Sequence, residues 1–476
     1  MEFIKNYFKF EERGTDLTTE LIAGLTTFLA MAYILPVNSF MLSATGIPLA
    51  GVFFATATAA AIATITMGLL ANLPVALAPG MGLNAFFTYT LVFGVAGLSW
   101  QAALAAVLVS GVLFFIISVT GLRKVVINAI PAGLKFSVGA GIGFFITFIG
   151  LQNAGIIVDN PATLVALGDF SHPTVLLGVF GIILVVILHG MGNRFSLIIS
   201  IAVTAVVGLV LGLVAPDFFT ETVANGDAMV DLLLMPAYQS GGMGDLGQGI
   251  KETVGQAFTG FGELFSNPGV FGIIFTLLFV DFFDTAGTLM AVGNQAGLVS
   301  DEGEIIGSEK ALLVDSIGTM TGAVLGTSNV TSYIESATGI EQGARSGFSS
   351  VVVGVLFLLA IIAYPLLSIV NGVTVGFDAF GGAIVYSPVT AMALVLVGSL
   401  MVGQLKDIDW SDKAIVIPAF LTIMFMITTY SIATGIAVGF VFYPIVMIAQ
   451  GRQKEVNTVM YVLAVVFVIN FIIAAV

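Results

Sequence analysis

Apolar runs of about twenty residues follow one another along the whole chain, separated by short polar intervals. A bilayer core is crossed by about 20 such residues in a helix. The first half therefore predicts seven membrane segments, near residues 17–42, 51–71, 74–93, 101–119, 131–151, 173–188 and 195–214. A second set is expected near 269–290, 308–325, 327–340, 347–370, 388–402, 414–429 and 432–449, and a last run covers 458–476. Between the sets lies a polar stretch, 215–267. It sets Asp217, Glu221, Asp227, Asp231, Asp245, Glu252 and Glu263 against one base, Lys251, and a short amphipathic helix is expected near 250–265.

Two segments break the pattern. The third opens on Asn72-Leu73-Pro74 and continues through Pro79-Gly80-Met81-Gly82-Leu83-Asn84. Proline lacks a donor and clashes with the preceding turn, and glycine is a poor helix former. An extended entry followed by a half-helix from near Gly82 fits better than one continuous helix. The tenth, Gly326-Thr327-Ser328-Asn329-Val330-Thr331-Ser332-Tyr333-Ile334-Glu335-Ser336, is too polar to face lipid. Interrupted segments at matching positions of two halves point to a transporter binding site. From each break to the next segment-opening proline (Asn84 to Pro131, Glu335 to Pro388) is about fifty residues, in keeping with an internal repeat. The pattern reads as seven plus seven, and an odd number of spans per repeat makes the halves inverted.

A third irregularity lies in the eighth segment, where the apolar run ends in Asp281-Phe282-Phe283-Asp284-Thr285. On a helix, Asp281, Asp284, Thr285 and Thr288 fall at i, i+3, i+4 and i+7, which is one face. Ionisable groups at membrane depth are expensive and usually face a pathway or a site.

Charge placement orients the chain. With the N-terminus inside, beside Lys5, Lys9 and Arg13, fourteen spans put Arg123/Lys124, Arg194, Lys310, Arg345, Lys406/Lys413 and Arg452/Lys454 at or near inner ends. Lys135 falls just within the inner end of the fifth segment and only Lys251 lies outside, so the positive-inside rule holds almost throughout. Residues 458–476 as a fifteenth span would put the C-terminus outside, and the pattern leaves that open. The expected organisation is a cytoplasmic segment 1–16 without a signal-peptide layout, a first repeat 17–214, an acidic outer loop 215–267, a second repeat 268–449 and a terminal segment 450–476.

Composition narrows the classes. The chain is 58% hydrophobic and 9% charged, against about a quarter charged in soluble proteins, so the fold class is an all-α polytopic membrane protein. Its 56 glycines suit closely packed membrane helices. Absence of cysteine excludes disulfide and thiolate chemistry. The net charge of −14 argues against nucleic acid. His172 and His189 stand far apart near segment ends, which suits an incidental role better than a metal site. No Ser–His, Cys–His or His-rich set supports an enzyme.

If the repeats pack face to face, both half-helices bring free N–H groups and positive dipole ends to the midplane. Asp281, Asp284, Glu335 and Asn84 then converge, with Phe28, Phe86 and Tyr333 as candidate stacking rings. Such a cluster cannot keep every carboxyl ionised in low dielectric, which invites proton coupling. A planar ligand rich in N–H donors and ring nitrogens matches these groups, as a nucleobase does; an inorganic anion matches poorly, since the acids repel it unless they are protonated. Each residue also has a plain structural use. The carboxyls can accept from nearby hydroxyls or free N–H groups, Asn84 can cap the half-helix, and the rings can simply pack.

Three stretches resemble the purine permeases of the second nucleobase–cation symporter family: Ala78-Pro79-Gly80-Met81-Gly82-Leu83-Asn84-Ala85-Phe86-Phe87, Val280-Asp281-Phe282-Phe283-Asp284-Thr285-Ala286-Gly287-Thr288, and Gly326 to Ile340. Thr26-Thr27-Phe28-Leu29-Ala30-Met31-Ala32-Tyr33-Ile34 is similar too, and the likeness covers nearly the whole chain. It implies fourteen segments in an inverted repeat, with a core domain (about 17–120 plus 268–370) and a gate domain (about 130–214 plus 386–449). It also implies elevator-like movement and gate-mediated homodimers. Asn84, Asp281 and Glu335 would be the principal base contacts, with Asp284 close by. The backbone at Ile334 would assist, and Asp315 would brace the second break or pass protons.

The function expected is proton-coupled uptake of hypoxanthine, guanine or adenine across the plasma (inner) membrane, with no cofactor beyond the proton. An anion exchanger for bicarbonate or sulfate is the alternative on the same architecture. A channel-like conduit or a non-transporting receptor is a third.

Overall fold

The computed structural model describes residues 2–94, 96–120, 130–214, 220–222, 229–231, 243–298, 306–367, 373–377 and 383–475. Arg123, Lys124, Asp217 and Asp227, named above, lie outside the described residues.

The first segment begins where Asp16 accepts the N–H groups of Thr18 (2.8 Å) and Thr19 (3.0 Å), an N-cap that starts helix α1 (Leu17–Met31). It does not run straight. Pro36 has no N–H to give and its ring crowds the carbonyl of Ala32, four residues back. The helix therefore turns at Ala32 and Tyr33 before resuming as α2 (Ile34–Ser43). Next comes α3 (Leu49–Thr66), extended by a wider turn to Ala71. The third segment is a strand, β1 (Leu77–Pro79), followed by a short helix, α4 (Met81–Ala85), and a widened turn to Val92. Helices α5 (Trp100–Thr120), α6 (Ala132–Asn153), α7 (Pro173–Gly190) and α8 (Ser196–Val214) complete the half.

The second half opens with α9 (Met243–Thr253), earlier in the chain than the amphipathic helix expected near 250–265. Residues 256–266 instead form two short turns of helix. This part of the acidic loop is folded onto the spans. The Thr253 side chain fills the space beside Gly51 and Gly326 that a β-carbon would need, and Gly326 also has φ +107°, a conformation that suits glycine. Glu263 accepts from the Ser99 N–H at 2.6 Å, just ahead of α5.

Next follow α10 (Val270–Gln295), α11 (Ser308–Leu325), β2 (Val330–Ser332), α12 (Ser336–Glu341) and α13 (Gly347–Ala360). The chain ends with α14 (Ala391–Val402), α15 (Lys413–Thr428), α16 (Ile432–Ala449) and α17 (Thr458–Ala475). Two loops that the apolar pattern left blank are hairpins, Ile157–Asn160 with Leu164–Leu167 and Val373–Phe377 with Ala383–Tyr386.

Among the described residues, nine helices are long and apolar enough to cross a membrane. Exposed apolar side chains such as Ile183, Val186 and Ile187 on α7, and Val206, Val210 and Leu213 on α8, face outward, as lipid contact requires. The protein is a multi-pass membrane protein.

The helices pack in two groups. In one, α1 lies on α12 and α13, α3 on α11 and α13, and α5 on α10 and α11. In the other, α6 lies on α14 and α15, α15 on α16, and α7 on α8 and α14. Gly143 and Gly398 let α6 and α14 touch backbone to backbone; a β-carbon on Gly143 would meet the Gly398 carbonyl at 2.7 Å. The two breaks lie within the first group.

Candidate functional site

The interrupted segments meet as two antiparallel strands, with Leu77 opposite Ser332, Ala78 opposite Thr331 and Pro79 opposite Val330. A strand at membrane depth is tolerated only when protein satisfies its backbone, and here it does. The Gly80 N–H donates to Asn329 O (3.0 Å) and the Tyr333 N–H to Ala76 O (2.9 Å). The Thr64 hydroxyl and the Leu77 backbone bond each other, and Ser336 Oγ accepts from the Ala76 N–H. Beyond the strands, the Asn84 N–H donates to Gly80 O at 2.8 Å. The N–H groups of Met81, Gly82 and Leu83 form the free first turn of the half-helix.

Side chains tie the breaks further. Asn84 is completely buried, its Oδ1 accepts a hydrogen bond from the Ser328 hydroxyl, and its Nδ2 faces Pro79 O (3.5 Å) and Met81 Sδ (3.8 Å). The Tyr333 hydroxyl donates to Pro79 O at 2.5 Å. Both residues named as site candidates therefore stitch one break to the other.

The acidic stripe of α10 lies against β2. Thr285 Oγ1 is 2.8 Å from Thr331 Oγ1 and receives the Ser332 N–H at 3.4 Å. Asp281, 1% exposed, accepts at Oδ2 from Thr319 of α11 (2.8 Å) and from the Asn329 amide (2.9 Å). Asp315, also on α11 and fully buried, accepts from Ser332 Oγ at 3.5 Å. Asp281 Oδ1, Asp315 Oδ2 and Asn329 Oδ1 are buried without a hydrogen-bond partner. Three acceptors left over with no donor between them are the setting in which a proton or a water supplies what is missing.

A second carboxyl pair is only half-buried. Asp284 receives a long hydrogen bond from Thr331 Oγ1 (3.4 Å) and stands within electrostatic reach of Glu335. Glu335 opens α12 beside Ile334, whose side chain is 46% exposed. Its Oε1 accepts from the Tyr33 hydroxyl at 2.6 Å. Of the candidate rings, Phe28 is half-buried with its edge on Phe357 (5.2 Å between centroids), and Phe86 is wholly buried. Lys135 of α6 holds its ammonium 5.0 Å from the centroid of Phe283, a cation–π contact between the two packing groups.

The structure thus brings Asn84, Asp281, Asp284, Asp315, Tyr333, Ile334 and Glu335 to one place around the strands. Sequence reading missed Thr319, Ser328, Asn329, Thr331 and Tyr33. For the residues of 327–332 a signal existed, since every polar group at membrane depth needs a partner. For Tyr33 there was none beyond its place in the opening motif.

Comparison with known proteins follows the same lines. The Xan_ur_permease profile, described as a permease family, matches residues 18–436. The guanine/hypoxanthine permease PbuG of Bacillus subtilis is 47% identical over 478 residues, covering 98% of this chain and 99% of that one. The adenine permease AdeP of Escherichia coli is 37% identical over 98% of this chain and 96% of its own. Among solved structures, the transmembrane domain of a cyanobacterium bicarbonate transporter, BicA, superposes with a TM-score of 0.55 at 14% identity. That match covers 88% of this chain and 97% of that domain, a likeness of fold.

Proposed function

The chain belongs to this permease family, in its purine branch of nucleobase–cation symporters, and from that premise we propose that it imports purine nucleobases by proton symport. The observation that carries the reading is the division of the carboxyls into two pairs. Asp284 and Glu335, half-buried at the mouth of the breaks, accept from the N–H groups of a purine. The free N–H groups at the start of α4 donate to its ring nitrogens or carbonyl. Asp281 and Asp315, buried and each with an orphan oxygen, take up and release the coupling proton. Thr319 and Asn329 hold Asp281 in place.

The α1–α5 and α10–α13 group is the core that carries the site, and α6–α8 with α14–α16 is the gate. The core moves past the gate in an elevator-like step, and gate helices of two copies meet in a homodimer. The fold shared with a bicarbonate transporter does not extend to its cargo. Two half-exposed carboxyls at the mouth would repel an anion.

Uptake of hypoxanthine, guanine or adenine into proteoliposomes under an imposed pH gradient tests the reading. Gradient-dependent accumulation of at least one of them is expected. No accumulation of any, with correctly inserted protein, overturns it.

A further inference from the structure

Tyr33 sits where the first segment is broken. It is 1% exposed, and its hydroxyl donates to Glu335 Oε1 at 2.6 Å, across 302 positions of sequence. That is a short hydrogen bond between two buried or half-buried side chains. The kink that Pro36 imposes at Ala32 and Tyr33 turns the tyrosine toward α12. Glu335 needs such a tie. It opens a helix of only six residues, next to the exposed Ile334, and its long side chain would otherwise sample several rotamers. Tyr333, the other tyrosine at the breaks, spends its hydroxyl on Pro79 O.

We propose that Tyr33 is a positioning and specificity-determining residue, which holds the Glu335 carboxylate so that Oε2 is presented to the ligand as an acceptor. This rests on the reading above that Glu335 meets the purine. The tie has a directional consequence. With the phenol donating to Oε1, the remaining oxygen of the ionised carboxylate accepts, so it pairs with a ring N–H or an amino group. A carbonyl or bare ring nitrogen turned toward it meets acceptor against acceptor, and a polar group that a bound ligand covers and leaves unpaired is what discriminates between near-identical ligands. Tyr33 thereby selects the face of the purine that enters first.

The test is Tyr33→Phe, which keeps the ring and removes only the donor. Equilibrium binding of radiolabelled hypoxanthine to purified protein and uptake in proteoliposomes are measured together. Tyr33→Phe is expected to weaken Kd roughly tenfold, to raise KM in parallel, and to leave Vmax within about twofold. A purely structural tyrosine would lower the amount of active protein, and so Vmax, with KM unchanged; that result overturns the proposal. So does a Kd that stays within about twofold of wild type. Wild-type protein that binds none of hypoxanthine, guanine or adenine overturns the functional reading itself and this inference with it.

Discussion

Arg194, in the turn between α7 and α8, forms an ion pair of 2.9 Å with Glu341, the last residue of α12. Glu341 also accepts from Gln295 of α10 at 3.1 Å. The pair therefore joins the helices read as gate to the short helix α12, which follows Glu335. Both side chains are partly exposed, at 37% and 45%, and such pairs contribute about 0.2 to 1 kcal/mol.

If the core must leave the gate during each cycle, this contact breaks each time. Arg194→Gln is then expected to speed uptake by roughly two- to fivefold at low salt, with the gain fading at high ionic strength as screening weakens the native pair. The exchange Arg194→Glu with Glu341→Arg should return the rate toward wild type. Initial uptake rates at two salt concentrations decide it. A variant rate equal to wild type at both would show that separation of this pair does not limit the cycle.

Replacing Glu335 with Gln keeps the shape and removes the charge that a ligand N–H meets. Uptake is expected to fall by roughly ten- to a hundredfold, as when a hydrogen bond to a charged group is lost. Asp281→Asn should abolish accumulation against a gradient while leaving ligand binding measurable, because Asp281 lies behind β2 instead of at the mouth. Binding and gradient-driven uptake measured side by side separate the two roles. Equal loss of binding in both variants would contradict that division.

Ser328→Ala removes the hydroxyl that donates to Asn84 Oδ1. A buried acceptor without its donor costs about 1–3 kcal/mol, and here the loss falls on the contact between the two breaks. The variant should melt several degrees lower in detergent. An unchanged melting curve would mean that the strands alone hold the breaks together.

On the periphery, Arg452 bridges Asp412 (2.8 Å) and Glu455 (2.9 Å), and Asp412 also caps α15 through the Ala414 N–H. Hydrogen bonds from the Arg452 guanidinium hold both carboxyls below their ordinary range. Lowered folded values mean that the stabilisation is complete at neutral pH and is lost as pH falls through those values. Arg452→Ala should therefore lower the melting temperature at pH 7, and the gap from wild type should close below about pH 4. A gap that persists in acid would assign the loss to packing of the arginine stem.

Much of the site was legible because membrane depth punishes exceptions. Pro79, Gly80 and Gly82 cannot continue a helix, the run from Thr327 to Ser332 cannot face lipid, and Asp281 and Asp284 share a helical face; each is a local violation visible without a partner. What the sequence hid are pairings across hundreds of residues. Nothing local says that Asn84 would meet Ser328, that Thr319 and Asn329 would converge on one oxygen of Asp281, or that Tyr33 would reach Glu335. The folded end of the acidic loop was hidden for another reason. Thr253 is placed by the absence of side chains at Gly51 and Gly326, and an empty space leaves no periodic mark. The hairpin of residues 157–167 carries too short an alternation to stand out between long apolar runs.

The pairing of β1 with β2 also sets an order on how the protein can be made. Pro79 and Tyr333, which hydrogen-bond beside that pairing, are 254 positions apart. During synthesis the whole first half enters the membrane before Val330 exists. Until then the Ala76 N–H, the Gly80 N–H and the Pro79 carbonyl lack the Ser336, Asn329 and Tyr333 partners that satisfy them, a state that hydrocarbon does not tolerate. The third segment must therefore wait at the interface or against neighbouring helices. It seats only when the tenth arrives, and closing so long a loop is slow. The first seven segments made alone are an incomplete object, and the paired breaks are among the last parts of the molecule to form.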